Sequence, residues 1–271
     1  MFPRVLAPRG KPEDDNFLNY GQPLNSVQFM LKSMHMSEII LLHGWSMNGD
    51  VFIRQRHAFA GYQIATPDLR GTHTGQITSL LKRRDNDKPL LTGWSMGVSM
   101  ILSELDSIQP LVSGLIFISG TPCFVAREDF PHGMRPAIAQ RLYRDLQKDF
   151  IKAWKNFIGL LTHAEAMDEG TSAKLQHLFA GVEEGIEPKQ ALDGLNWLYQ
   201  GDYRSTLKNI KVPLMIISGS QDRICFPDAS RYIAGQVPGS SLHIIDGAGH
   251  MPFFTRAEEV NSLIGGFAGG H

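Results

Sequence analysis

Cysteine is scarce in this chain: two among 271 residues, Cys123 and Cys225, far apart and outside any metal-ligand spacing. That excludes a disulfide scaffold and a cysteine-based zinc site. It leaves two unlinked buried thiols in a reducing compartment as the expectation, and hence a cytoplasmic location. A surplus of charge is also missing, with 26 Lys and Arg against 27 Asp and Glu. Nucleic acid is therefore not expected as a general partner. No stretch approaches the roughly 20 uninterrupted apolar residues of a membrane span, so no membrane association is expected. The start, MFPRVLAPRGKPEDD, carries basic residues with no apolar segment behind them, which argues against a secretory signal. No cluster of ligand-type side chains calls for a metal, and no motif calls for a cofactor.

What is present is a series of short apolar runs bounded by turn residues. "EIILLHG" (38–44), "PLLTGWS" (89–95), "SGLIFISG" (113–120), "VPLMIISGSQD" (212–222) and "SLHIIDGAGH" (241–250) read as strands, with a weaker one in "YQIATPD" (62–68). Near-continuous Ile, Leu and Val runs of this length suit parallel strands buried on both faces. The segments between them, such as 98–105 and 256–267, read as helices. The alternation predicts an α/β fold with a mostly parallel central sheet flanked by helices.

Between about 124 and 203 the strand-like runs vanish and helical periodicity takes over, most clearly over 137–161. A long helical insertion between two strands of a parallel sheet reads as a lid. The expected organisation is an amino-terminal extension (1–36), a first core segment (37–123), the helical lid (124–203) and a second core segment (204–271). Within the extension, "SVQFMLK" alternates like an edge strand.

The chemistry is suggested by "LLTGWSMGVSM". Gly93-Trp94-Ser95-Met96-Gly97 fits G-x-S-x-G between a strand and a helix, the context in which a sharp turn lifts a serine hydroxyl clear of the sheet. A serine in a plain strand-to-helix turn is the bland alternative. Serine needs a base, and His250 follows a strand in "DGAGHMPF". The imidazole needs an acid, and Asp222 follows the preceding strand. Asp246 is too near His250 in sequence to reach its ring, and Asp228 reads as the start of a helix. The chain order Ser95, Asp222, His250, each just past a strand, is that of α/β-hydrolases. The backbone N–H groups of Met96 and of Trp45, in the loop after "LLHG", are the expected oxyanion donors, with the His43 ring supporting that loop. His163 and His177 belong to the insertion.

Arg141, Arg144, Lys148, Lys152 and Lys155 are spaced 3, 4, 4 and 3 apart. On a continuous helix they share an arc of roughly 80°, opposite Leu142, Leu146, Phe150, Trp154 and Phe157. A solvated lid face is the simple reading; a docking stripe for an acidic partner is the other.

"LLHGWSMN", "GWSMG", "SGTPCFVARED" and "GAGHMPF" together resemble the pimeloyl-[acyl-carrier protein] methyl ester esterases of biotin synthesis. The likeness runs from about Ser37 to Phe267, and "TPCFVAREDFP" and "KAWKNFIGLL" are similar to that family's lid, which the resemblance implies is broken into two helices near Lys148-Asp149, bending the basic stripe without necessarily dispersing it. The resemblance implies an α/β-hydrolase fold and attack by Ser95 on the methyl ester of a carrier-bound pimeloyl chain. It also implies an acyl channel lined by Trp45, Trp94 and Phe157, and an acidic acyl carrier protein as the partner of the basic stripe. Core packing is the plain alternative for the two tryptophans. Val98 departs from the family pattern by replacing the glycine usual after the motif. The protein is expected to be a monomer. A broad-specificity carboxylesterase or a carbon–carbon bond hydrolase keeps the same three residues, whereas a non-enzymatic binding protein would leave Ser95 unreactive.

Overall fold

The computed structural model describes residues 38–69, 75–84, 88–163, 165 and 167–270. The amino-terminal extension, with its expected edge strand, lies outside them. In chain order the elements are β1 (Glu38–Leu42), α1 (Ile53–Ala58), β2 (Gln63–Ala65), α2 (Gln76–Leu81), β3 (Leu90–Trp94), α3 (Met96–Ser103), α4 (Leu105–Ile108) and β4 (Gly114–Ile118). There follow α5 (Pro136–Lys148), α6 (Phe150–Ile158), α7 (Glu169–Glu184) and α8 (Pro188–Gln200). The chain then returns to the sheet with β5 (Leu214–Gly219), α9 (Pro227–Gln236), β6 (Ser241–Ile245), α10 (Pro252–Thr255) and α11 (Ala257–Gly269).

The strands form one sheet in the order β2-β1-β3-β4-β5-β6, with every described pairing parallel. β3, β4 and β5 are buried along their whole length, and β1 is buried from Ile39 onward. That is why they read as unbroken apolar runs rather than as alternation. β2 and β6 are the edges and are more exposed. The chain moves from β1 outward to β2, then crosses back to β3 on the other side of β1. This reversal opens a crevice beyond the carboxyl ends of β1 and β3, where open α/β sheets bind ligands. Ser95 and the His43-Gly44-Trp45 loop both stand at that crevice. Among the described residues no helix is long and apolar enough to cross a membrane.

α5 to α8 all fall between β4 and β5. The entry and exit of this segment are stapled together. Cys123 and Asp202 form an antiparallel bridge, and the Tyr203 N–H donates to the Pro122 carbonyl at 2.7 Å. Arg204 grips Asp202 at 2.7 Å and Asp129 at 3.0 Å, while Arg127 Nε lies 3.3 Å from Asp202. These guanidinium groups hold the Asp202 carboxyl below the usual carboxylate range, Arg204 contributing most.

The helical periodicity over 137–161 belongs to two helices, parted near Lys148-Asp149 where the resemblance places a break. Asp149 has extended backbone (φ −152°, ψ 90°) and caps α6 by accepting from the Lys152 N–H at 3.2 Å. The apolar period survives the break because Leu146, Trp154 and Phe157 remain buried on both sides of it. The basic stripe does not stay on one helix: Arg141, Arg144 and Lys148 belong to α5, and Lys152 and Lys155 to α6.

Candidate active site

β3 ends at Trp94 and α3 begins at Met96, so the chain turns from strand to helix at the single residue Ser95. Ser95 adopts φ 55° and ψ −116°, a region that residues with a Cβ rarely enter. The flanking glycines make the turn possible. A Cβ at Gly93 would lie 2.7 Å from the Gly97 carbonyl carbon, and one at Gly97 would lie 2.6 Å from the Leu42 carbonyl oxygen. Val98, where a glycine is usual, is accommodated by Gly120: a Cβ there would lie 2.3 Å from Val98 Cγ2.

The strained turn points Ser95 Oγ at His250 Nε2, 2.9 Å away. His250 Nδ1 lies 2.7 Å from Asp222 Oδ2. The other carboxylate oxygen, Oδ1, accepts from the Ile224 N–H at 2.8 Å and the Cys225 N–H at 3.0 Å. Asp222 is 3% and His250 1% exposed, so the carboxylate is fixed from both sides with little water to compete. With Asp222 accepting at Nδ1–H, Nε2 is left as the acceptor for the serine proton.

The backbone of His250 is pinned as firmly as its ring. Its N–H donates to the Leu161 carbonyl, just past α6, at 2.7 Å, and its carbonyl accepts from the Trp94 indole N–H at 2.9 Å. Trp94 thus braces the backbone of His250. It is 1% exposed, its ring packs 5.0 Å from that of Phe253, and it supports the histidine from below.

Trp45 and Phe157 are also buried, and they meet edge to face at 5.1 Å. The Trp45 indole N–H donates to the Ala191 carbonyl of α8 at 2.7 Å, tying the loop after β1 to the helical insertion. The backbone N–H groups of Trp45 and Met96 have no acceptor among the described residues. His43 holds that loop from behind: Nδ1 donates to the Gly44 carbonyl at 2.9 Å, and Nε2 accepts from the Leu69 N–H at 3.1 Å. His177 is on α7 and His163 lies beyond α6, neither touching the three residues. Asp246 accepts from Ser220 at 3.2 Å and plays no part at the histidine, and Asp228 lies in the first turn of α9.

The site includes three residues that the sequence did not single out. Cys225 is buried beside Asp222 and Ser95; burial first, then the Asp222 charge, push its thiol well above the ordinary value, with the Ser95 hydroxyl opposing. Its position three residues after Asp222 was the available signal. Leu161 acts through a carbonyl, which no sequence pattern marks. Glu165 packs over Gly249, where a Cβ would lie 2.5 Å from its Oε1. Burial raises the Glu165 carboxyl, opposed by Thr255, the Gly249 N–H and Arg256.

A family model described as the alpha/beta hydrolase family matches residues 39–263. The chain belongs to the alpha/beta hydrolase family. Among its relatives, this hydrolase is 31% identical over 240 residues to the pimeloyl-[acyl-carrier protein] methyl ester esterase of Stenotrophomonas maltophilia (strain K279a). That match covers 84% of the hydrolase and 91% of the relative. The protein of the same description from Serratia marcescens is 27% identical over 246 residues, covering 86% and 94%. Among solved structures, an esterase from Exiguobacterium antarcticum superposes with a TM-score of 0.77 at 23% identity, covering 86% of the hydrolase and 91% of that chain. The last likeness concerns the fold alone.

Proposed function

We propose that this hydrolase is a serine carboxylesterase that cleaves the methyl ester of a pimeloyl chain carried on acyl carrier protein, giving pimeloyl-acyl carrier protein and methanol for biotin synthesis. The observation that carries the chemistry is the run of short contacts from Ser95 Oγ through His250 to Asp222. In this reading His250 Nε2 takes the Ser95 proton as Oγ attacks the ester carbonyl. Asp222 holds the imidazole in that tautomer and stabilises the cation that forms. The oxyanion is received by the N–H groups of Met96 and Trp45, where one such donor contributes about 3 kcal/mol to the barrier. Collapse expels methanol with the proton from His250. Water activated by the same imidazole then releases the acid and frees Ser95.

The substrate assignment draws on the relatives named above and on the charge of the insertion. Arg144, Lys148 and Lys152 are exposed and make no ion pair among the described residues, leaving three cations for an acidic carrier protein. Arg144 also borders a cavity of about 310 Å³ with Tyr143 and Tyr199. A second reading, a broad-specificity carboxylesterase, is favoured by the break at Asp149 and by the pairing of the stripe's ends. Arg141 lies 3.5 Å from Asp145, and Lys155 lies 2.8 Å from Glu183.

The two readings separate with the double variant Arg144→Glu, Lys152→Glu. Turnover of carrier-linked pimeloyl methyl ester should fall about tenfold or more in kcat/KM, with p-nitrophenyl butyrate hydrolysis unchanged. Equal effects on both substrates would remove the carrier-protein partner. Rescue of biotin-independent growth in a strain lacking its own esterase, abolished by Ser95→Ala, would tie the activity to the pathway.

A further inference from the structure

A separate cavity of about 510 Å³ lies between α1 and α7. None of Ser95, Asp222 and His250 lines it, so it is not part of the cleft described above. Its volume falls within the range of small-molecule sites. The floor is apolar, built from Ile53 of α1, Leu178 of α7 and Phe254 of α10. One wall is missing a side chain. Gly181 sits within α7, where glycine costs about 1 kcal/mol relative to alanine, and a Cβ placed there meets nothing within 4 Å.

The rim is cationic. Arg54, Arg56 and Lys174 border the opening, with the imidazoles of His57 and His177, against one carboxylate, Asp50. Asp50 is already engaged by Arg56 at 3.0 Å. Arg54 is held in a fixed pose: Nη2 donates to Thr171 Oγ1 at 3.1 Å, and the guanidinium stands 5.0 Å over the Phe254 ring. Neither contact cancels its charge. The Lys174 side chain makes no ion pair or hydrogen bond among the described residues. Two cations with no direct carboxylate partner among the described residues therefore stand at the mouth of an apolar recess, one of them pre-oriented by packing and by a Thr171 hydroxyl that donates onward to Asp168 at 2.6 Å.

We propose that this cavity binds a small amphiphilic anion, an aliphatic carboxylate whose chain rests on Ile53, Leu178 and Phe254 and whose head meets Arg54 and Lys174. The site does not depend on the chemistry assigned to Ser95. A neutral amphiphile would fill the recess and leave both cations unmatched. An amphiphilic cation would be repelled.

Isothermal titration of the full chain with decanoate tests the proposal, with decanol as the neutral control. Gly181→Leu fills the cavity from a helical position with open space in front of it, and Lys174→Glu reverses a charge on an exposed side chain. Decanoate should bind the unaltered protein at least tenfold more tightly than decanol. Gly181→Leu should weaken decanoate at least tenfold and Lys174→Glu several-fold, with melting curves showing both variants folded. Equal decanoate affinity in Gly181→Leu and the unaltered chain would overturn the site. Equal binding of decanol and decanoate would overturn the anionic head group, and the absence of measurable decanoate binding would overturn both. Should Gly181→Leu fail to fold, the charge reversal still decides: unchanged decanoate affinity in Lys174→Glu refutes the placement.

Discussion

The backbone at Ser95 stores strain that a pair of substitutions can measure. Both Ser95→Ala and Ser95→Gly remove the hydroxyl and its contact with His250, so that loss cancels between them. They differ in the Cβ, which alanine keeps and glycine lacks, at φ 55° and ψ −116°. Holding a residue with a Cβ in so sparsely populated a region costs about 1–3 kcal/mol. Glycine returns roughly 0.5–1 kcal/mol of that through the greater freedom of its unfolded chain. Taken at mid-range, the difference left is about 1 kcal/mol in favour of glycine. At roughly 2–4 °C per kcal/mol for a chain of this size, Ser95→Gly should melt about 2–4 °C above Ser95→Ala. Paired thermal melts, with urea titrations checking that the slopes agree, provide the assay. If Ser95→Ala proves equal to or more stable than Ser95→Gly, the turn is not strained and the geometric argument for an activated serine fails. Neither variant should react with a fluorophosphonate probe.

Two further outcomes follow from the packing around His250. Trp94→Phe strands the buried His250 carbonyl, a loss of about 1–3 kcal/mol, and should slow fluorophosphonate labelling of the molecules that remain folded; labelling at the native rate would show that the indole serves stability alone. Glu165 has its carboxyl raised by burial, so the fold holds this proton over a pH window in which the unfolded chain has already released it. Its contribution to stability therefore falls as pH rises from the ordinary glutamate value through the raised one. Glu165→Gln should stabilise the protein above that window and flatten the difference in melting temperature between acidic and neutral pH; a variant less stable than the parent at pH 8 would refute this.

Much of the sheet was legible because its central strands are buried on both faces, a condition that writes itself into sequence as unbroken Ile, Leu and Val. Ser95, Asp222 and His250 could be picked out because each follows such a run, and the sheet brings the ends of those runs to one rim. The helix break at Asp149 was implied by the family resemblance and not by the periodicity. A capping side chain restarts α6 in nearly the same phase, so the apolar period crosses the break undisturbed. Trp94 was legible as a motif residue, but its indole bond to the His250 carbonyl joins positions 156 apart and is a tertiary fact. Leu161 was beyond reach of any pattern, because it contributes the backbone oxygen that every residue carries. Cys225 could have been suspected from adjacency alone, yet adjacency to an acid is common and its burial against Ser95 is a tertiary fact.

The insertion is tied to the loops around Ser95, and its variants act through those ties as well as through its surface. Its ties to the core include three: the staple at Cys123 and Asp202, the Leu161 carbonyl on His250, and the Ala191 carbonyl on Trp45. The last two contacts reach the loops that carry the imidazole and one of the two free N–H groups. A perturbation that unseats α6 or α8 therefore loosens the frame around Ser95 as well as the surface above it, and would lower kcat for every ester. A substitution confined to exposed side chains of α5 and α6 leaves Leu161, Trp45 and Ala191 in place and would act only on a partner that touches those side chains. Arg144 and Lys152 satisfy that condition, whereas Lys155, paired with Glu183 of α7, does not. The small soluble ester is thus the measurement that separates a lost docking contact from a displaced catalytic loop. A fall in its turnover would point to the frame even if carrier-linked turnover fell further.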